Sequence, residues 1–164
     1  MNISKLETRY HNQLKDLIDI VVNTMENKNW LIALSKNEIE NIFNNENAVI
    51  YGMIDGNKLL AISGLFFDES DFIEITKTLN IDHFKVAEIS ESMTLPQERG
   101  NNYMFMINSI LVKEAKQMGF DYLIATAAPE NIASNKSLTK LGMKCACQIN
   151  RYGKYLRNCY VMKI

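Results

Sequence analysis

Between residues 11 and 25 the apolar side chains fall at Leu14, Leu17, Ile18, Val21, Val22 and Met25. That three-to-four spacing lines one face of a helix. A second helix is predicted from Ser35, with Ser35 as N-cap and Glu38 completing a capping box before Ile39, Ile42 and Phe43. Residues 48–54 and 58–67 change the rhythm to near-continuous apolar runs, read as strands, and Asp55-Gly56-Asn57 between them is a hairpin signal. Residues 2–9 are read as a short first strand. Residues 68–84 are charged with scattered apolar positions, a loop with a short helix; a connection this long is functional or mobile. A strand is predicted at 85–95. From 103 to 118, Met104, Ile107, Ile110, Leu111, Ala115 and Met118 form one helical stripe that Gly119 ends. Residues 121–127 read as a buried strand and 131–141 as a short helix ending at Gly142. A last hairpin, 144–150 and 156–162, turns near Tyr152-Gly153-Lys154. The order β-α-α-β-β-β-α-β-α-β-β describes an α/β protein with a mixed sheet and helices on its faces.

Composition narrows the classes. The 164 residues contain no repeat, low-complexity tract or linker, and are read as one domain, 1–164. Hydrophobic content of 47%, charge of 23% and a net charge of −1 are those of a soluble protein without a basic field for nucleic acid. No apolar run is long enough for a membrane span, and residues 1–7 lack a secretory apolar segment, so a cytoplasmic protein is expected. Cys145 and Cys147, two apart, share one face of a strand, which is not a zinc spacing. With Cys159 the count is odd, so buried free thiols are expected. Neither His11 nor His83 has a neighbouring ligand set, and no metal is expected.

The chemistry centres on Leu95-Pro96-Gln97-Glu98-Arg99-Gly100-Asn101-Asn102, between a strand and the helix at 103. A helix start leaves N–H groups unpaired and carries the positive end of the helix dipole, so such a loop serves as an anion site or simply as a turn. Gly100 permits positive φ and close approach of backbone to a ligand.

Two segments in series decide between these. Ala87-Glu88-Ile89 leads through Thr94-Leu95-Pro96 into Gln97-Glu98-Arg99-Gly100-Asn101-Asn102. One helix and one strand later comes Pro129-Glu130-Asn131-Ile132-Ala133-Ser134, followed by Lys140-Leu141-Gly142-Met143. The first resembles the pyrophosphate loop, Q/R-x-x-G-x-G/A, of the GNAT superfamily of acyl-CoA-dependent N-acyltransferases. The second is similar to that superfamily's N-x-x-S/A…K-L-G-F signature. The resemblance covers residues 85–143 and implies a mostly antiparallel sheet of six to seven strands with helices on both faces. It also implies acetyl-CoA as co-substrate, no metal, and a small-molecule or peptide amine as acceptor, in a monomer or homodimer. Backbone N–H groups from Gly100 to Tyr103 are then expected to bind the pyrophosphate, and Met93, Thr94 and Leu95 to pair with the pantetheine arm like an added strand. The amine attacks the thioester directly, so the protein supplies positioning, oxyanion stabilisation and a route for the ammonium's proton.

The resemblance departs at two positions. Asn102 replaces the loop's second glycine, its side chain either intruding on the phosphates or capping the helix. Leu138 stands where a tyrosine commonly protonates the leaving thiolate; Ser134, Tyr152 or water can substitute. Glu88 occupies the strand position of a family general base, against a plain solvated carboxylate. Glu91 is the second candidate; three residues on, it faces the other side of a regular strand, an inference a bulge would undo. Arg99 is either a phosphate contact or an exposed loop arginine. Asn131 can cap its helix and reach the cofactor, Ser134 is a weaker contact or a cap, and Lys136 meets a phosphate or solvent. Trp30 either lines the acceptor pocket or anchors the core, and Tyr152 and Tyr155 flank the same region. The pocket itself is expected from residues 25–35, 68–84 and 150–157. Competing readings are a non-catalytic acyl-CoA sensor, an acyltransferase for a protein N-terminus, and an unrelated α/β protein.

Overall fold

Seven strands form one sheet in the order β1-β2-β3-β4-β5-β7-β6. They are β1 (Asn2–Lys5), β2 (Ala48–Asp55), β3 (Lys58–Phe66), β4 (Val86–Thr94), β5 (Tyr122–Ala127), β6 (Lys144–Arg151) and β7 (Tyr155–Lys163). In this computed structural model, which describes residues 1–32 and 34–164, β4 and β5 are parallel and the other neighbouring pairs antiparallel. Among the described residues five helices cover the sheet: α1 (His11–Thr24), α2 (Lys36–Asn41), α3 (Glu69–Leu79), α4 (Tyr103–Gln117) and α5 (Ile132–Leu141). None is long and apolar enough to cross a membrane.

Local rules account for most boundaries. Ser35 Oγ accepts the Glu38 N–H at 3.3 Å while the Glu38 carboxylate accepts the Ser35 N–H at 2.7 Å, so the capping box starts α2. The apolar stripes bury Leu14, Leu17, Ile18 and Val21 on α1, and Ile107, Leu111 and Ala115 on α4. The strand expected at residues 2–9 stops at Lys5, and a 3-10 turn, Thr8–Tyr10, leads into α1.

Two expectations need correction. The segment 68–84 is mostly the 11-residue helix α3: Asp68 accepts the Ser70 N–H at 3.0 Å, and Asn80 ends it at φ 53°. Phe72 and Ile75 press it onto Val86, Ile124 and Cys159, a footprint too narrow to dominate a charged segment's pattern. Of the thiols only Cys159 is buried; Cys145 is exposed because β6 is an edge strand and its pairing with β7 shifts between Cys145 and Cys147.

The core joins both helical stripes to β3, which is buried from Leu59 through Leu65. Leu111 is fully buried in it. Leu111→Ala is expected to cost about 2–5 kcal/mol and to lower the melting temperature by roughly 4–20 °C in a scanning-calorimetry comparison with wild type.

Candidate acyl-donor and acceptor cleft

The site is made by two strands that part. β4 and β5 pair only at Val86–Tyr122, Ala87–Leu123 and Glu88–Ile124. Beyond that point β4 stays with β3 as far as Thr94, while β5 follows β7 through Ala127. The Leu95 N–H donates to the Leu60 carbonyl at 2.9 Å and Met93 pairs with Ile62, so alternation turns the backbone N–H and C=O of Thr94 into the gap. Among the three residues expected to hold a pantetheine arm, Thr94 offers that edge. Met93 and Leu95 are buried.

A bulge deepens the parting. Ser63 on β3 faces both Glu91 and Ser92, because Gly64 pairs with Ser90 and Ile62 with Met93. Glu91 takes up the extra residue at φ 53°, and the Ser63 and Ser92 hydroxyls bond at 2.7 Å.

At the end of β4, Pro96–Glu98 form a 3-10 turn and Gly100 sits at φ 88°, which a β-carbon disfavours. The backbone N–H groups of Gly100, Asn101, Asn102, Tyr103, Met104 and Phe105 have no acceptor within the described residues; Met106 makes the first bond back, to Asn102. Asn102 neither caps α4 nor leaves its side chain free, since its Oδ1 accepts Lys140 Nζ at 2.9 Å. The row of six donors at the positive end of α4 is thus left for an anion.

These parts line a cleft of about 610 Å³. Its donor side includes Thr94, Arg99 to Tyr103, Asn131, Ser134 and Lys136. Asn131 caps α5 by accepting the Ser134 N–H at 3.1 Å. Asn135 secures that turn, donating to the Ala128 carbonyl at 2.9 Å and accepting from Tyr160 Oη at 2.8 Å. The rest of the lining includes Val21 of α1, Met25 just after it, Trp30, Leu31, Tyr152 and Arg157. Of the segments expected to shape an acceptor pocket, 25–35 and 150–157 contribute and no described side chain of 68–84 does; Ala33 lies outside the described residues. Tyr155 is not in the wall.

The two candidate carboxylates occupy unlike surroundings. Glu88 does not line the cleft; its carboxylate is held by both terminal nitrogens of Arg151, Nη2 at 2.9 Å, in a buried pair that Thr126 joins. Glu91 does line it, is 9% exposed, and its Oε2 has no hydrogen-bond partner. Burial, then the charges of Glu88 and Glu38, push its pKa up from 4.5 to about 8. Two further buried atoms without partners, Trp30 Nε1 and Asn108 Oδ1, belong to residues that line the same cleft. Asn108 and Arg157 were not singled out in the sequence. A polar residue beside Ile107 on an apolar helical stripe was the available signal for the first.

The sequence matches no protein-family model and no curated protein. Solved structures resemble it closely in shape. An N-acetyltransferase from Staphylococcus aureus Mu50 superposes with a TM-score of 0.76 at 17% identity, over 99% of this chain and 97% of that one. The GNAT domain of S. lividans PAT gives 0.75 at 12% identity, over 99% and 89%. The chain has the GNAT fold. Arabidopsis thaliana NAA60, solved in complex with acetyl-CoA, shares that fold with a TM-score of 0.75 at 12% identity, over 99% and 98% of the two chains.

In this version of the GNAT fold, stability and pH separate the two glutamates. Glu88→Gln leaves Arg151 buried without its counter-charge and is expected to cost about 3–5 kcal/mol at neutral pH. Glu91 behaves oppositely. The folded protein holds its proton more tightly than the unfolded chain does. Stability is therefore full below pH 4.5 and falls as pH rises to about 8. Glu91→Gln escapes that loss, so its melting temperature is expected to gain several degrees on wild type between pH 5 and pH 9, read by thermal denaturation across the range.

Proposed function

We propose that the protein is an N-acetyltransferase that moves the acetyl group of acetyl-CoA to a primary amine within a ternary complex. The observation that carries this reading is the row of six unpaired N–H groups from Gly100 to Phe105, opening on the cleft that Glu91 also lines. A pyrophosphate matches such a row at a helix start, and the shared fold with a protein solved with acetyl-CoA supports it. Arg99 and Lys136 on the same wall add positive charge for phosphate oxygens.

In this reading the pantetheine arm lies against the backbone of Thr94 as an added strand, which directs the thioester toward the bulge. The acceptor nitrogen, unprotonated, attacks the thioester carbonyl. The C–N bond forms, the C–S bond breaks, and coenzyme A departs as thiolate. Glu91 takes the proton that the nitrogen sheds. A carboxylate whose pKa is near 8 is a far better acceptor for it than one at 4.5, and is still ionised enough to act at mildly alkaline pH. Leu138 has no proton to give. Tyr152, whose hydroxyl is held protonated chiefly by burial, is the phenol in the wall, and we assign it as proton donor to the thiolate.

Initial rates of thiol release test the roles. For wild type, kcat/KM is expected to rise with pH through an inflection near 8. Glu91→Gln should lower kcat about 100-fold and retain only the acceptor amine's own titration, with acetyl-CoA binding unchanged by calorimetry. An unaltered rate and profile would remove Glu91 from the mechanism. Gly100→Val places a branched side chain at φ 88° in the loop that faces the phosphates. It should weaken acetyl-CoA at least about tenfold while leaving the melting temperature of the free protein within a few degrees.

A further inference from the structure

The acetyl-transfer reading leaves one charge in the cleft unused. Arg157, on β7, is 4% exposed and lines the same cleft as Glu91. Its Nη2 donates to the Asn29 carbonyl at 2.6 Å and its Nη1 to the Leu156 carbonyl at 3.0 Å, and its guanidinium lies 5.3 Å from the centre of the Tyr155 ring. Among the described residues no carboxylate forms an ion pair with it, in contrast to Arg151, which Glu88 neutralises. A buried guanidinium that has carbonyl and ring partners and no ion pair among the described residues, Glu130 acting on it only from beyond contact distance, is a costly arrangement that an incoming anion relieves. Two of its five N–H groups are engaged, which leaves the rest for a ligand.

A second observation falls at the same place. Trp30 follows Asn29, whose carbonyl Arg157 holds, and its indole N–H is buried without an acceptor. Donors without acceptors thus line the cleft from β7 and from the segment after α1. The unpaired acceptors, Glu91 Oε2 and Asn108 Oδ1, stand on β4 and α4. Val21, Met25 and Leu31 add apolar surface to the same cleft.

We infer that the acceptor is an amine that also carries a carboxylate, an amino acid with an apolar side chain, bound with its carboxylate on Arg157 and the Trp30 N–H and its nitrogen at Glu91. The inference rests on the acetyl-transfer reading above. The planar fork of a guanidinium matches a carboxylate in two-point contact. A phosphate dianion is disfavoured, because Glu26 and Glu91 line the same cleft and Glu130 already acts on Arg157 through its charge.

Matched acceptors test it: L-leucine against L-leucinamide, and L-methionine against L-methioninamide, as initial rates of thiol release from acetyl-CoA at pH 8. The free acids should show kcat/KM at least about tenfold above the amides, one charge-assisted contact being of that order. They should do so although more of each amide's amine is unprotonated. Arg157→Gln should erase that preference, bringing the ratio of free-acid to amide kcat/KM to about one whatever the absolute rates. Equal rates in wild type, faster amides, or a preference that survives in Arg157→Gln would overturn the inference. The wild-type pairs decide alone if the variant does not fold, because Arg157 also pins Asn29. Acetylation of 3-methylbutylamine with no turnover of amino acids sinks this inference and leaves the acetyltransferase reading standing. Stabilisation by acetyl-CoA with no thiol release for any amine sinks both.

Discussion

β4 and β5 pair for three residues and then separate, and the rest of the site depends on that separation. They are the parallel pair of the sheet, joined by a crossover through α4, so the start of α4 and the opening lie together at the carboxyl ends of both strands. A closed pair would consume the backbone groups of Thr94 and cover the wall on which Glu91 stands. Open, it leaves a strand edge, a row of amide donors and a buried carboxylate around one cavity. Unpaired polar groups are costly to a folded chain, and here they gather where a ligand can pair with them.

The two glutamates of β4 show how environment divides like residues. Glu88 meets a guanidinium and becomes structural. Glu91 meets apolar surroundings and the negative charge of Glu88, and holds its proton to about pH 8. Burial first, and then the charges of Glu88 and Glu38, raise the pKa of Glu91, and the bulge puts that group in the wall of the cleft. Arg151 has an ion pair and, among the described residues, Arg157 has none, a second division of the same kind.

Much of this was readable from the chain. The capping box at Ser35 and Glu38, the turn at Asp55-Gly56-Asn57 and the stripe through Leu111 are local signals, and the fold keeps them. The loop around Gly100 was legible because Gly100 and the helix start occur together in sequence. What escaped depends on distant partners. Regular alternation sets Glu88 and Glu91 on opposite faces, but the shift opposite Ser63 is a property of two strands, which neither encodes by itself. Nothing near Glu88 in sequence announces Arg151, 63 residues away. Arg157 reads as an ordinary strand residue until its burial is known, and α3 hides its two anchoring residues among charges.

A crystal structure with acetyl-CoA bound tests the central claim most directly. The pyrophosphate oxygens should accept hydrogen bonds from the N–H groups between Gly100 and Phe105, the pantetheine should pair with the backbone of Thr94, and the thioester should end beside Glu91. A cofactor bound outside this cleft, or a pyrophosphate held by side chains with the amide row left empty, would contradict it.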